Sequence, residues 1–176
     1  EVAAEETCRA LGAASVSINR WERQDDVLRT LINVGELGPH EQRHPSDELY
    51  PLEDFPRSRR LLEAQESYII VVDDSSVPAD QQLLQALGKE SGLAVPVVYD
   101  GRSWGELEAF SAPGMPRFTA SSVDFAEAIA VQLSTAIGRA ELFTAMSDLA
   151  SRDPLTGLAN RRSLDRHLDE AIERAV

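Results

Sequence analysis

From Thr119 to Ala150 the chain has no proline and one glycine, and apolar residues recur there at helical spacing, including Phe125, Ile129, Leu133 and Ile137. A helix of some thirty residues would be ~45 Å long, more than one small sheet can cover. The expectation is a sheet-based unit that ends in a rod, whose second half runs beyond the unit or packs on another chain. Leu142, Met146 and Leu149 continue a 4-then-3 spacing, as in a coiled-coil seam.

Upstream of that run the pattern has the period of strands. Residues 1–11 suit a helix ended by Gly12. Ala14, Val16 and Ile18 then alternate with Ser15, Ser17 and Asn19, "QDD" makes a turn, and "VLRTLINVG" reads as the second arm of a hairpin. Residues 36–51 are polar and turn-rich and read as a long loop. "EDFPRSRRLLEAQ" suits a short helix, "SYIIVVDD" a strand, and "VPADQQLLQALGKE" another helix with Leu83, Leu84 and Leu87 on one side. "GLAVPVVYDGRSWGELEAFSA" is two strands around Asp100-Gly101, a dipeptide that favours tight hairpin turns. Gly105 inside the second of them predicts a bulge or a close backbone approach. This order implies an α+β fold: a mostly antiparallel sheet of about five to six strands, helices packed on one face, and a long C-terminal helix.

Hydrophobic residues make up 43% of the 176, enough for a sizeable core, and no apolar run approaches the ~20 residues of a membrane span. The start, "EVAAEETCRALG", lacks the basic segment of a signal peptide. A net charge of −13 argues against nucleic acid or an anionic membrane as partner. Cys8 is the lone cysteine, which excludes an internal disulfide and suits a reducing, cytoplasmic setting; its place in a helical pattern reads as a small buried thiol. His40, His44 and His167 lack metal-ligand spacing, no nucleophile elbow or phosphate-cradling loop occurs, and "DDSSVPAD" is explained by a strand end and a helix cap. The expectation is a chain with no catalytic residue, no metal and no cofactor of its own.

The stretch 92–111, followed by "RFTASSVDFAEAIAVQLSTAIGRAELF", resembles the closing strands and last helix of GAF domains, small cytosolic sensor modules. "LGAASVSINRWE" and "LEAQESYIIVVDD" fit the same family's first strand and middle section, so the likeness covers about residues 1–145. "RDPLTGLANRRSLDRHL" closely resembles the opening motif of GGDEF (diguanylate cyclase) domains, Asp-x-Leu-Thr-Gly-Leu-x-Asn-Arg-Arg. Asp153, Leu155, Thr156, Gly157, Leu158, Asn160, Arg161 and Arg162 fill every fixed position; in that family the motif is structural. Pro154 would end the long helix, Asn160 would cap the next, and Leu164, Leu168 and Ile172 would form a stripe needing a partner surface. The resemblance implies three parts: a GAF-like sensor at 1–145, an overlapping linker helix at 119–150, and the start of a GGDEF domain at 151–176, cut inside its first helix. A complete protein of this kind would condense two GTP with Mg²⁺ into cyclic di-GMP. The Gly-Gly-Asp/Glu-Glu-Phe signature does not occur in these residues.

Alternation supplies the candidate site. In the last strand Leu107 and Ala109 share one side, and Trp104, Glu106, Glu108 and Phe110 the other; Ser17, Asn19 and Trp21 stand opposite Val16 and Ile18 in the first. GAF resemblance implies that such an opposite face floors a ligand pocket under loops and short helices. Ser17, Asn19, Trp104, Glu106 and Glu108 are therefore the expected ligand-binding residues. Carboxylates two apart on a strand sit ~7 Å from each other on one side. Covering them without a cation costs several kcal/mol or makes one take up a proton. The pocket is thus either open to water or built for a ligand bearing donors or positive charge. That floor disfavours haem or a large apolar chromophore, Cys8 is misplaced for bilin attachment, and the cyclic-nucleotide signature of the family is not recognisable. The expected partners are an unidentified small molecule and a second copy through the C-terminal helix; a ligand-free structural dimerisation module is the alternative.

Overall fold

The computed structural model describes residues 1–39, 41–73 and 78–151. The sites expected at 153–162, the stripe Leu164, Leu168 and Ile172, and His40 and His167 lie outside the described residues. Through these residues run α1 (Val2–Leu11), β1 (Ser15–Glu22), β2 (Val27–Gly35), β3 (Leu49–Pro51), α2 (Pro56–Ala64), β4 (Tyr68–Val71), α3 (Pro78–Leu87), β5 (Ser91–Tyr99), β6 (Arg102–Ser111) and α4 (Ala120–Ser151). The six strands form one sheet in the order β3-β2-β1-β6-β5-β4, every neighbour antiparallel. The α+β expectation holds, with the polar strand β1 and the carboxylate-bearing β6 side by side at the centre.

The punctuation read from sequence acts as its chemistry requires. Gly12 takes the left-handed conformation (φ 61°), and its N–H and that of Ala13 close α1 onto Arg9 and Cys8 carbonyls. Asp100 and Gly101 both have positive φ (52° and 70°), as a two-residue turn of the hairpin-favouring hand demands. Gly105 stands opposite Arg20, where a Cβ would lie 2.0 Å from the Asn19 carbonyl oxygen. Only glycine lets β1 and β6 approach this closely.

Two irregularities were not readable from alternation. Between Ile18 and Asn19 the β1–β2 register skips Leu31, so Ile32 stays opposite Ile18 and Thr30 comes opposite Asn19. Leu31 is left 39% exposed. Between Val97 and Val98 the β5–β6 register skips Trp104. A bulge of this kind re-aims one side chain while the ladder continues.

One sheet face is apolar throughout. Val16, Ile18, Val34, Val95, Val97, Leu107 and Ala109 are each at most 8% exposed. Cross-strand pairing stacks Val34, Val16 and Ala109 in one row and Ile18, Leu107 and Val95 in the next. α1 lies against β1 and β2 and buries Ala4 and Thr7. Cys8 is half-buried rather than fully enclosed; its thiol donates to the Ala13 carbonyl at 3.2 Å, and burial pushes it above its ordinary pKa. The other face carries two smaller apolar clusters: Leu28, Leu52, Leu61, Leu62 and Ala94, and Ile70, Leu84 and Phe110. α2 and α3 supply their outer halves, so these two helices cover this face, and helices pack on both faces of the sheet rather than on one as expected.

Two further expectations change. Within the loop read at 36–51, Leu49–Pro51 forms a short edge strand against β2. Three residues are too few to show alternation, and proline is tolerated on a sheet edge because it lacks a donor. Among the described side chains of α4 the fully buried positions are Ala126 (0%) and Ala130 (3%), while Phe125 is 41% exposed. Small residues let the helix approach closely, and one turn on Ser134 donates its hydroxyl to the Val98 carbonyl.

The chain divides into two compact units, 1–135 and 136–176. The helix α4 is continuous through the boundary. In the second unit Leu142, Phe143 and Met146 are exposed by 61%, 75% and 61%.

Candidate functional site

The polar face of the two central strands floors a cavity. Ser17 lies opposite Glu108 and Asn19 opposite Glu106 in the β1–β6 register. All four line the cavity together with Thr30 and Leu28 of β2, Tyr50 of β3, Phe55 and Ser58 at α2, Tyr68 and Ile70 of β4, Asp80, Leu83 and Leu87 of α3, and Glu41 and Glu48. It opens between the two apolar clusters of that face. The space available to the centre of a water molecule is about 20 Å³, room for about one water. In this form the cavity is narrow.

Asn19 is the hub. Its side-chain amide donates to Glu108 Oε2 at 2.8 Å and to Glu106 Oε1 at 3.3 Å. Its carbonyl oxygen lies 2.9 Å from the Thr30 hydroxyl, which also lies 3.0 Å from Glu48 Oε1. Tyr50 donates its phenol to the same Glu48 oxygen at 3.0 Å, and Asn33 donates to Glu48 Oε2 at 3.0 Å. Ser17 in turn donates to Asn33 Oδ1 at 2.6 Å. A chain of hydrogen bonds therefore links the sheet to the segment before β3.

Both amide hydrogens of Asn19 are spent on two carboxyl groups, so neither is fully served. Glu106 is 1% exposed, and its Oε2 has no hydrogen-bond partner among the described residues. Asp80 differs, since Arg57 Nε lies 3.1 Å from its Oδ2. No lysine, arginine or histidine occurs among the described lining residues.

The electrostatic consequence follows from burial. Desolvation, then the charge of Glu108, pushes the Glu106 carboxyl well above the carboxylate range, against the Asn19 hydrogen bond. Burial raises Glu108 to about 7, with Asn19 opposing and the charges of Asp80, Glu41 and Glu48 reinforcing. Burial also raises Tyr68, and burial with Glu48 raises Tyr50. Of the alternatives open at the sequence level, a face open to water is therefore not what Glu106 experiences.

Of the expected ligand-binding residues, Ser17, Asn19, Glu106 and Glu108 come together. Trp104 does not join them. The bulge removes it from their alternation, and its ring lies beneath the Arg20 guanidinium, 5.9 Å from carbon to centroid. It lines a separate open depression with Trp21, Arg23 and Tyr99. Thr30, Glu48, Tyr50 and Asp80 were not anticipated. The first depends on an unreadable bulge, and the others on lid segments whose placement no local pattern encodes.

The chain is 45% identical over 78 residues to an uncharacterized protein in the hutH 5′ region of Streptomyces griseus, and that match spans 44% of this chain and 32% of that protein. Its fold is similar to the blue-light-absorbing form of the PixJ GAF domain of Thermosynechococcus elongatus (TM-score 0.64, 15% identity, 83% of this chain and 86% of that one). It is similar too to a GAF domain/HD domain protein from Geobacter sulfurreducens (0.63, 12%, 81% and 91%). A methyl-accepting chemotaxis protein fragment, residues 122 to 287, gives 0.66 at 22% identity, over 82% and 89%. The family match to the GAF domain covers residues 1–137, and with the curled six-stranded sheet and its covered polar face it places this chain in the GAF domain family.

Proposed function

We propose that this chain is the sensory part of a cyclic di-GMP signalling protein, in which a small molecule bound over the polar sheet face controls a diguanylate cyclase that follows α4. The observation that carries this reading is the run from Asp153 to Arg162, which fills every fixed position of the cyclase opening motif directly after the helix leaving a GAF domain. Mg²⁺ and GTP belong to that catalytic domain. Its chemistry joins two substrates, so two copies must meet, and α4 is the element proposed to pair them. Leu142, Phe143 and Met146 supply the exposed apolar side chains such pairing needs. Control would be a shift between two packings of the paired helices, needing only a few kcal/mol of differential binding.

The test uses the protein continued past Val176. A Gly-Gly-Asp/Glu-Glu-Phe motif should follow, and purified protein should convert GTP and Mg²⁺ to cyclic di-GMP. Two residues inserted after Arg139 should abolish regulation. Absence of the motif and of turnover would refute the cyclase assignment, and unchanged regulation would refute the helical coupling.

A second reading, a ligand-free structural dimerisation module, is favoured by the narrowness of the cavity, with its room of about 20 Å³. A stable dimer by light scattering, with no thermal shift from any ligand class, would select it.

A further inference from the structure

The cavity holds more negative valence than its own partners satisfy. Asp80 is matched by Arg57, and Glu48 receives hydrogen bonds from Asn33 and Tyr50. Glu41 accepts the Gly38 N–H. Glu106 and Glu108 share the single Asn19 amide, and Glu106 Oε2 is buried without a partner among the described residues. A buried carboxyl oxygen with no donor is costly, and a folding domain gains nothing from placing it there.

Resting on the sensor reading above, we infer that the cavity takes the ammonium head of a small primary amine, with Glu106 and Glu108 as its anionic partners and aromatic rings as its walls. An anion such as a phosphate ester would meet carboxylates and no lining cation among the described residues. A quaternary ammonium has no N–H and would leave Glu106 Oε2 unserved. A hard divalent ion needs several convergent oxygens, and no group of three His, Cys, Asp or Glu among the described residues is placed to hold one. A primary ammonium brings three donors on a head of about water size, which matches the room present. Tyr50, Phe55, Tyr68 and Phe110 then offer faces that attract a cation and bury an alkyl tail. A longer tail requires the segment carrying Glu41 and Glu48 to move, and the hydrogen-bond chain from Asn19 through Thr30 to Glu48 is the route by which occupancy would reach it.

Binding would be linked to proton release. The groups facing the pair are Glu41 and Glu48 ahead of β3, Tyr50 on β3, Tyr68 on β4, and Asp80 on α3 with Arg57 of α2 beside it. With Glu108 raised to about 7, the ammonium must displace at least one proton below that pH.

Isothermal titration of the 176-residue chain with ethylamine and 1,4-diaminobutane tests this, alongside 1-butanol, tetramethylammonium and cyclic AMP. The expected result is binding of the amines at least a hundredfold tighter than 1-butanol, about 2.7 kcal/mol. Their apparent Kd should fall about fifteenfold from pH 5.5 to 7, because displacement of one proton from a group of pKa about 7 gives a slope that flattens as that pH is reached. Glu106→Gln and Glu108→Gln, both isosteric and checked for folding by circular dichroism, should each lose tenfold or more in amine affinity. Amines no tighter than 1-butanol, or unaffected by both substitutions, would overturn the inference. If 1-butanol or cyclic AMP binds instead, the amine assignment fails while the sensor reading stands. If nothing in a wider screen of nucleotides, amino acids and cations binds either, both fail together.

Discussion

The two faces of β1 and β6 are one residue apart along the same backbone and obey opposite rules. On one face Val16, Ile18, Leu107 and Ala109 are nearly solvent-free and pair with apolar residues across the strands. On the other, Ser17, Asn19 and Glu106 are equally buried but depend on hydrogen bonds, one of which is missing. Burying a leucine or valine side chain yields roughly 1.5–3 kcal/mol, whereas a buried polar pair yields about 1 and an unpaired carboxyl costs. The first face therefore folds the domain, and the second is carried at its expense. A departure from the folding optimum confined to one face is the physical mark of a site.

The largest effect should come where both faces depend on one atom's absence. A Cβ at Gly105 would lie 2.0 Å from the Asn19 carbonyl oxygen and 3.0 Å from the Arg20 Cα. Gly105→Ala must push β1 and β6 apart, and since backbone cannot rotate aside we expect a loss of about 4 kcal/mol, beyond ordinary overpacking. Urea titration measures it; an alanine variant as stable as the parent would show that the strand pair tolerates separation. Next comes the contrast itself. Leu107→Ala on the apolar face should cost about 3 kcal/mol. Its neighbour on the other face, Glu106→Gln, should be neutral or stabilising by about 1 kcal/mol, since an amide carries no charge to desolvate. Equal losses at the two positions would erase the distinction between the faces.

Which parts of this were legible depends on how local their causes are. Gly12, Asp100-Gly101 and Gly105 declare themselves because each answers a backbone requirement within a few residues. The alternation of β1 and β6 correctly separates Ser17, Asn19, Glu106 and Glu108 from Val16, Ile18, Leu107 and Ala109. It fails at Trp104 because a period of two has no means of registering a skipped residue, and at Thr30 for the same reason. Glu48, Tyr50 and Asp80 reach the site from segments far along the chain, and only the closed topology brings them to Asn19. In α4 the hydrophobic spacing pointed to Phe125, whereas close approach to β5 selects Ala126 and Ala130, a choice of size rather than apolarity.

The smallest expected effect is the pH dependence of the unliganded protein, and its sign separates the two faces cleanly. In the folded state Glu108 keeps its proton up to about 7, while in the unfolded chain it loses it near an ordinary ~4.3. Between these values the folded form binds more protons, so stability is fully present at low pH and falls as pH rises through the window. The full shift corresponds to about 4 kcal/mol, and partial exposure of this residue together with the narrower window reduces that to about 2 from pH 5 to 8. Carboxylates held low by surface arginines, Glu22 by Arg29 and Glu90 by the Gly114 N–H and Arg117, act in the opposite sense, but they have finished titrating below this range. Glu106 is raised by burial and acts in the same sense as Glu108, so the difference between parent and Glu108→Gln is the quantity to read. That difference should shrink steadily from pH 5 to 8, the parent losing stability and the variant losing less. A flat difference would mean that Glu108 is ionised and solvated in the folded protein, and the polar face would then be an ordinary wet surface.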